Sequence, residues 1–473
     1  MSVARKGSIP QLDRRSEEPY YRQIYDRIRS AIAAGSLKPG DRIPSARALI
    51  DELGLARGTI DAAYSLLQAE GYIESRGQAG TIVAPGLIRP QVASPVPRSK
   101  TFVPTLSFRP ETILPFQMGL PALDLFPRKI WARLGARCAR AMQPADMAHP
   151  SVYGLPDLRA EIAAYLQVAR GVNCAPAQVF ITSGYRHTVQ MIVRALLNAG
   201  DRVWVEDPGY PPTRELLKRM GMSVVSVPVD QEGMVTDLGV KAAPRARAAV
   251  VTPAHQSPLG VSLALPRRMA LLDWAAKNKA WILEDDYDGE YRYVGRPLPA
   301  LKSLDRDGRV LYSGTFSKVL FPALRLAYLV VPATEVERFE EVNQTWGPGS
   351  PQLTQTIVMT FIKEGYFARH IQRMRKLYGE RRELATAGLT SVLNKHVSID
   401  LQPGGMHLIL RLKAQRSDRR LVARMLEDGL YGEALSDWTD RSDEGPAILV
   451  NFTNIGSQGA AEALGRRILK VMA

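Results

Sequence analysis

With 473 residues, of which 45% are apolar and 23% charged, the chain is long enough for two or three folding units and has the composition of a soluble globular protein. It has no charged-then-apolar N-terminal segment, no apolar run of membrane-spanning length, and only two cysteines, without metal-ligand spacing. We therefore expect a cytoplasmic protein with no membrane span, disulfide framework or metal site. The net charge of +15 favours a polyanionic partner such as nucleic acid.

The N-terminal part of the chain predicts three helices followed by a short hairpin. Apolar residues recur on one helical face over residues 19–34, and Ser45 suits the N-cap of a second helix. A turn at residues 54–59 leads into a third helix with a single apolar face. Residues 72–84 then favour two short strands around a glycine-containing tip. This order of elements is typical of a winged helix-turn-helix.

Fixed positions within this segment resemble the GntR family of DNA-binding domains, over residues 18–86. The matching runs are Gly35-x-Leu-x-Pro-Gly-Asp-Arg-x-Pro-Ser-x-Arg47, Leu55-Ala-Arg-Gly-Thr59, Ala63-Tyr-x-x-Leu-x-x-Glu-Gly-Tyr72 and Gly77-x-x-Gly-Thr81. The resemblance implies binding to double-stranded promoter DNA. It places the contacts in the second helix, at the start of the recognition helix and at the wing tip, on Arg47, Arg57, Gly58, Thr59, Arg76 and Gly77.

Asp61 is a departure on the predicted recognition helix. Its carboxylate would repel DNA phosphates, yet it could also accept a hydrogen bond from cytosine N4.

Residues 87–114 are rich in proline and show no sustained periodicity. They predict an extended, semi-stiff linker between the N-terminal domain and the rest of the chain.

From residue 115 to residue 473, strand-like apolar runs alternate with helical segments. The runs fall at residues 178–182, 202–206, 223–228, 248–252, 281–284, 310–312 and 326–331. The alternation predicts an α/β fold with a mostly parallel sheet, in which ligands collect at the carboxyl ends of the strands.

One stretch, residues 311–328, concentrates groups that suit a phosphorylated aldehyde. A strand-like run breaks at Ser313-Gly314, and then Thr315, Ser317 and Lys318 cluster ahead of Arg325. A lysine between buried strands must be paired or neutralised, and an imine with an aldehyde neutralises it. The hydroxyls and the arginine would bind the phosphate group of that aldehyde. The stretch predicts a Schiff-base site for pyridoxal 5'-phosphate (PLP), with an ordinary surface lysine as the alternative.

Asp285 and Tyr287 are the strongest companions of this lysine. They follow a buried strand two residues apart, so they project the same way from extended chain. A carboxylate would keep the pyridine nitrogen of PLP protonated, and a phenol would donate to its 3-oxygen. A metal site is the rival interpretation, although no His or Cys stands nearby in sequence.

Two further breaks in the chain are candidates for cofactor contacts. Residues 182–186 open a helix whose N–H groups suit a phosphate, although a Ser-Gly pair there is more often a simple N-cap. Tyr210 follows another strand and could approach the cofactor ring, or it could be a packed tyrosine in a turn.

Together these parts resemble the fold-type I aminotransferases over residues 115–473, and the whole chain resembles the MocR/GabR subfamily of GntR-type bacterial regulators. Further matching stretches lie at residues 119–127, 153–165, 252–260 and 361–382. The resemblance implies an α/β aminotransferase-like body of PLP fold type I, with large and small subdomains, behind a GntR-type winged helix-turn-helix. It assigns the Schiff base to Lys318, the pyridine nitrogen to Asp285 and the 3-oxygen to Tyr287. It places Ser183, Gly184, Tyr185, Ser317 and Arg325 at the phosphate, and His255 in a loop beside the 3-oxygen.

The chain departs from the aminotransferase pattern at two positions. Ser257 stands where an asparagine would meet the 3-oxygen, and Leu449 stands where an arginine would clamp the substrate carboxylate. Either the effector lacks that carboxylate, or another arginine such as Arg214 binds it, or PLP itself is the signal.

We therefore expect a homodimeric, PLP-dependent transcriptional regulator that senses PLP or an amine or amino-acid effector, with vestigial or half-reaction chemistry rather than turnover. A working aminotransferase with an accessory DNA anchor and a cofactor-free dimerisation module are the alternatives. The basic run at residues 361–382 could track DNA or form a solvated helix face, and we favour the second interpretation.

Overall fold

The computed structural model describes residues 12–14, 16, 18–77, 80–86, 113–148, 151–295, 298–347, 349–413, 417–441 and 444–472. Residues 87–112 of the predicted linker lie outside that part of the chain. The chain divides into two compact units, residues 1–108 and 109–473.

The N-terminal unit is the predicted winged helix-turn-helix. Its elements are α1 (Tyr20–Ala33), α2 (Ala46–Leu53), α3 (Arg57–Ala69), β1 (Ile73–Ser75) and β2 (Thr81–Val83). The Ser45 hydroxyl caps α2 by accepting a hydrogen bond from Ala48 N at 3.2 Å. Gly54, with φ of 67°, ends α2 in the left-handed conformation and starts the turn into α3. Ile24, Leu49 and Ile60, none of them exposed, join the helices in one apolar core.

The C-terminal unit is built on a mixed sheet of eight strands. These are β3 (Val179–Thr182), β4 (Arg202–Asp207), β5 (Ser223–Asp230), β6 (Gly233–Met234), β7 (Ala248–Val251), β8 (Trp281–Asp286), β9 (Val310–Thr315) and β10 (Ala327–Val330). Their order across the sheet is β3-β10-β9-β8-β7-β4-β5-β6. Pairing is parallel from β9 through β5, whereas β10 and β6 run antiparallel to their neighbours. The parallel strands therefore bring their carboxyl ends to one edge.

Helices surround this sheet and connect it to a second, smaller one. They are α4 (Arg128–Ala141), α5 (Pro156–Arg170), α6 (Tyr185–Leu196), α7 (Pro211–Arg219), α8 (Thr236–Ala242), α9 (Leu265–Asn278), α10 (Val336–Trp346), α11 (Gln352–Lys363), α12 (Tyr366–Leu393), α13 (Asp418–Glu427) and α14 (Gln458–Met472). The second sheet contains β11 (Val397–Asp400), β12 (His407–Leu412), β13 (Glu433–Ala434) and β14 (Ala447–Asn451) in the order β11-β12-β14-β13, all antiparallel. The two sheets define a large and a small subdomain.

Two predicted boundaries differ from the structure. Strand β9 does not break at Ser313-Gly314 but continues to Thr315, because Gly314 pairs with Tyr328 and leaves room for that ring. The basic run at residues 361–382 is not one helix, since Gly365 (φ 73°) separates α11 from α12. Within α12, Arg381 is buried and pairs with Asp124, whereas Arg369 and Arg373 are exposed.

Candidate cofactor and DNA-binding sites

A cavity of about 260 Å³ opens at the carboxyl edge of the large sheet, next to the small subdomain. Its walls contain eight of the residues predicted to bind the cofactor: Tyr185, Tyr210, Asp285, Tyr287, Thr315, Ser317, Lys318 and Arg325. Sequence positions more than a hundred residues apart therefore meet in one place.

Lys318 lies in the turn that follows β9, and its Nζ donates a hydrogen bond to the Gly119 carbonyl at 3.0 Å. Burial lowers the pKa of Lys318, and the nearby carboxylates Asp288, Glu433 and Asp285 partly oppose that effect. A lysine with a lowered pKa is more often the neutral amine, which is the form that attacks an aldehyde. Gly119 has φ of 76°, and a Cβ there would lie 2.3 Å from Lys318 Nζ, so only glycine leaves space for the amine.

Asp285 is buried near the end of β8, where its carboxylate faces the cavity. Burial raises the pKa of Asp285, and the carboxylates of Asp286, Asp288 and Glu206 raise it further. Such a group is costly to ionise unless it meets a cation. The N–H of a protonated pyridine ring would supply that cation, so Asp285 fits the ring nitrogen of PLP.

Tyr287 lies between the cavity and a buried histidine. The Nδ1 atom of His255 is 2.9 Å from the Tyr287 hydroxyl and 3.1 Å from Asp288 Oδ1. Burial raises the pKa of Tyr287, and a hydrogen bond with Ser257 lowers it. The phenol therefore stays protonated and can donate to an oxygen in the cavity. His255 does not line the cavity but orients the tyrosine that does.

The phosphate end of the predicted site lies at the start of α6. Gly184, with φ of 114°, precedes the helix, and an added Cβ would come within 3.1 Å of the Arg325 guanidinium. Arg325 itself adopts the left-handed conformation at φ of 50°, which is uncommon for a residue with a side chain. Ser183 and Gly184 lie outside the cavity lining, while Tyr185, Thr315 and Ser317 line it. A helix N-terminus beside an arginine and two hydroxyls suits a phosphate dianion.

Tyr210 borders the opening of the cavity and is 42% exposed. Its ring packs against Trp438, with centroids 5.7 Å apart, and against Tyr185 at 6.2 Å. The aromatic ring therefore belongs to the cavity wall.

The structure does not bring Arg214 or Leu449 to the cavity lining. The Arg214 guanidinium lies 2.7 Å from Asp440 and 3.6 Å from Asp207, and it donates to the Trp438 carbonyl. Arg214 is thus already paired, which leaves it poorly placed to bind the carboxylate of an effector. Leu449 is fully buried in β14 among apolar neighbours.

Ser257, noted in the sequence as the residue in place of an asparagine, lines the cavity. The sequence did not indicate the remaining cavity residues, which are Met118, Gly119, Asp288, Pro322, Met406, His407, Glu433 and Trp438. Asp288 follows Asp285 and Tyr287 in an acidic run, and that run is the sequence signal that could have identified it. Glu433 lies in a two-residue strand with no recognisable motif, so only the tertiary fold places it beside Lys318.

The N-terminal unit exposes most of the predicted DNA contacts. Arg57 opens α3 with an 84% exposed side chain and lies 3.3 Å from Asp61 one turn later. Arg47, Gly58, Arg76 and Gly77 are exposed, and Thr59 is half-buried. At the wing tip, Arg76 lies 3.6 Å from Glu74.

None of the helices in the described ranges combines the length and the apolar sequence that a membrane span requires. In the same ranges, no group of three or more His, Cys, Asp or Glu side chains is placed to hold a metal ion.

Comparisons with known proteins match both units. The model of bacterial regulatory proteins of the gntR family matches residues 20–83, and that of aminotransferase class I and II matches residues 124–436. Among solved structures, an archaeal alanine:glyoxylate aminotransferase aligns with a TM-score of 0.70 at 25% identity, covering 76% of this chain and 90% of that one. LysN, the α-aminoadipate aminotransferase of Thermus thermophilus complexed with N-(5'-phosphopyridoxyl)-L-leucine, aligns with a TM-score of 0.68 at 27% identity, covering 76% and 93%.

Fold and family matches together define a class of protein in which a GntR-type winged helix domain is joined to an aminotransferase-like domain. The probable rhizopine catabolism regulatory protein MocR of Rhizobium meliloti is 38% identical, covering 96% of this chain and 94% of its own length. The pyridoxine biosynthesis transcriptional regulator PdxR of Corynebacterium glutamicum is 34% identical, with 91% of each chain covered. The chain belongs to the MocR/GabR subfamily of GntR-family transcriptional regulators.

Proposed function

We propose that this regulator binds PLP in its aminotransferase-like domain and senses PLP itself, or an amine or amino-acid effector captured by it. The observation that carries the proposal is the convergence of Lys318, Asp285, Tyr287 and Arg325 on one cavity. The name of the relative from Corynebacterium glutamicum, a pyridoxine biosynthesis regulator, supports PLP as one candidate signal.

The residues of the cavity divide into three roles. When bound, PLP supplies an aldehyde that captures primary amines and a ring that accepts electrons. Lys318 provides the amine that holds the cofactor, and burial lowers its pKa and so favours the neutral form that reacts with an aldehyde. Asp285 pairs with the ring nitrogen, and the Tyr287 hydroxyl donates to the 3-oxygen. Arg325 and the N-terminus of α6 neutralise the phosphate, with Thr315 and Ser317 donating hydroxyl hydrogen bonds.

The winged helix domain is the part that binds double-stranded promoter DNA. Arg57, Gly58 and Thr59 at the start of α3 face the major groove, Arg47 approaches the backbone, and the wing residues Arg76 and Gly77 approach the minor groove. We propose a cytoplasmic homodimer whose effector binds one of two conformations more tightly and so changes the population that binds the operator.

A working aminotransferase is the second candidate. It is favoured by the complete set of Lys318, Asp285 and Tyr287 and by the aminotransferases among the solved structures. Neither of the two positions considered for a carboxylate clamp supplies one, because Leu449 is apolar and Arg214 is already paired, and this argues against turnover. Sustained amino transfer over many cycles, measured with amino-acid and keto-acid pairs, would favour this candidate.

The visible absorbance of purified full-length protein with PLP, together with its affinity for the DNA upstream of its own gene, tests the proposal. We expect an absorbance band in the wild type that Lys318→Ala abolishes, and a change in DNA affinity on adding PLP or an amine only in the wild type. The matched variant Lys376→Ala, at a lysine with a largely exposed side chain on α12, should behave as the wild type. A wild-type protein without the band, or with DNA affinity indifferent to PLP and amines, would refute it.

A further inference from the structure

The charges that line the cavity are mostly negative once the cofactor contacts are assigned. Its acidic side chains are Asp285, Asp288 and Glu433, and its basic ones are Lys318 and Arg325. Lys318, Arg325 and Asp285 are all committed to the cofactor under the proposed function. Two carboxylates then remain and no cation remains among the described lining residues.

Histidine does not change this balance. The ring of His407 is buried in the cavity wall, with Nε2 2.8 Å from the Pro258 carbonyl, to which it donates. Burial lowers the pKa of His407 to about 4, so the ring is neutral at physiological pH. It offers no positive charge to an anionic ligand.

Glu433 is held in a fixed position in the wall. It lies on β13 opposite Leu449 of β14, and cross-strand partners project to the same face of a sheet. Its Oε1 accepts from the Tyr431 hydroxyl and its Oε2 from Trp438 Nε1, each at 3.1 Å. Burial raises the pKa of Glu433, and Lys318 lowers it through charge attraction. The carboxylate therefore has neutral donors on one side and the cavity on the other.

Asp288 provides a second acceptor. It is 2% exposed and lines the cavity, and its Oδ1 lies 3.1 Å from His255. Its Oδ2 has no hydrogen-bond partner among the residues described. A buried carboxylate oxygen without a partner is costly, and a donor carried by a ligand removes that cost.

Arg214, the arginine that the sequence suggested for binding a carboxylate, is outside the cavity lining and pairs with Asp207 and Asp440. An effector carboxylate beside Glu433 would face a like charge in a desolvated site without a cation. A second ammonium or guanidinium group would instead pair with Glu433.

We propose that the effector is an amine with a second cationic group, a diamine in the simplest case, and that Glu433 selects it by binding this second group while Asp288 accepts a further hydrogen bond. The inference rests on the proposed function, because the first amine is captured at the Lys318 end of the cavity.

Calorimetric titration of PLP-loaded full-length protein with length-matched ligands tests this. The probes are 1,4-diaminobutane, 4-aminobutanoate and butylamine, followed by the corresponding five-carbon set. We expect the diamines to bind at least about tenfold more tightly than the amino acids and monoamines, the size of one charge-assisted contact. Glu433→Gln should remove this advantage, so that the diamines bind no more tightly than the monoamines to the variant. Glu427→Gln, on an exposed position of α13, should bind like the wild type.

Equal or tighter binding of the amino acids, or an unchanged diamine affinity in Glu433→Gln, would overturn the inference while leaving the PLP-dependent regulator intact. The absorbance band, recorded before any amine is added, separates the two levels. A wild type without the band overturns both. If Glu433→Gln fails to load PLP, the ranking of the three ligands on the wild type decides.

Discussion

Glu206, the penultimate residue of β4, is a buried acid to which the proposed function assigns no role. It is 6% exposed and accepts hydrogen bonds from Thr252 N at 3.2 Å and Thr252 Oγ1 at 2.5 Å. Burial raises the pKa of Glu206 to about 7, although these hydrogen bonds act in the opposite direction. The folded protein therefore holds a proton that the unfolded chain releases near pH 4.5.

This difference predicts a pH dependence of stability. The raised pKa stabilises the folded state fully below pH 4.5, and the contribution is lost as pH rises to about 7. Glu206→Gln cannot lose a proton, so its unfolding free energy relative to wild type should increase by up to about 3 kcal/mol between pH 4.5 and pH 8. Thermal unfolding of the aminotransferase-like domain at several pH values measures this difference in unfolding free energy between Glu206→Gln and wild type. Glu232→Gln, at an exposed position, is the control, and parallel curves for wild type and Glu206→Gln would contradict the prediction.

The N-terminus of α6 and the Arg325 guanidinium together form a cradle, which is the predicted phosphate site. Gly184→Ala would strain a residue at φ of 114° and push against the guanidinium 3.1 Å away, so PLP should bind at least about tenfold more weakly. Gly200→Ala meets the same kind of backbone strain at φ of 87° with nothing within 4 Å, and should keep wild-type PLP affinity. Absorbance titrations with PLP compare the two, and equal losses in both variants would mean that the cradle does not hold the phosphate.

Arg57 and Asp61 lie on α3, the predicted recognition helix. Arg57→Ala should lower operator affinity about tenfold or more, since a base contact contributes roughly 1–3 kcal/mol. Asp61→Asn should raise affinity for non-specific DNA, because it removes a negative charge and frees Arg57 from its ion pair at 3.3 Å. Fluorescence anisotropy at several salt concentrations measures both. Arg466→Ala, exposed on α14, serves as the control, and operator affinity unchanged in Arg57→Ala would place the contact elsewhere.

Elements with strong local signals could be predicted from sequence. The apolar runs of β4, β7 and β8, the Ser45 cap and the glycine turn after α2 depend on neighbouring residues alone. The end of β9 could not be predicted, because Gly314 belongs to the strand only through the Tyr328 ring packed over it. Glu433 and His407 reach the cavity through the small sheet, so no pattern near Lys318 contains them. Local chemistry indicated the residues that we propose to bind the cofactor, whereas tertiary packing places those that we propose to bind the effector.

In the molecule as a whole, the small subdomain meets the large one beside the cavity. Asp440, between β13 and β14, contacts Arg214 of α7 at 2.7 Å and Ser226 Oγ of β5 at 2.9 Å. Its backbone N–H donates to Asp207 at 3.1 Å. The ligand proposed to lie between Lys318 and Glu433 would touch both subdomains, so it can shift this contact if it binds one arrangement more tightly than another.

Coupling between effector and DNA is the prediction for the complete chain. If the effector changes operator affinity by some factor, operator DNA must change effector affinity by the same factor, typically about 5- to 150-fold. Calorimetry with and without operator, and anisotropy with and without effector, give the two factors independently. Lys318→Ala should reduce both to one. Factors of one in the wild type would show that ligand and DNA bind without communication.

The hydrogen bond between Lys318 and Gly119 connects the cavity to the chain segment that follows the predicted linker. Gly119 belongs to the segment 113–121, by which the aminotransferase-like domain continues from the predicted linker, and the neighbouring carbonyls of Gln117 and Leu120 are held by Asn451. Any reaction that draws the Lys318 amine away leaves the Gly119 carbonyl to find another donor. The segment keeps its other contacts, which include hydrogen bonds from Asn451 of β14 and from the backbone N–H of Tyr431. A reaction at the Lys318 amine therefore removes one of the contacts that hold the stretch of chain next to the predicted linker, and hydrogen exchange in that stretch should report the loss.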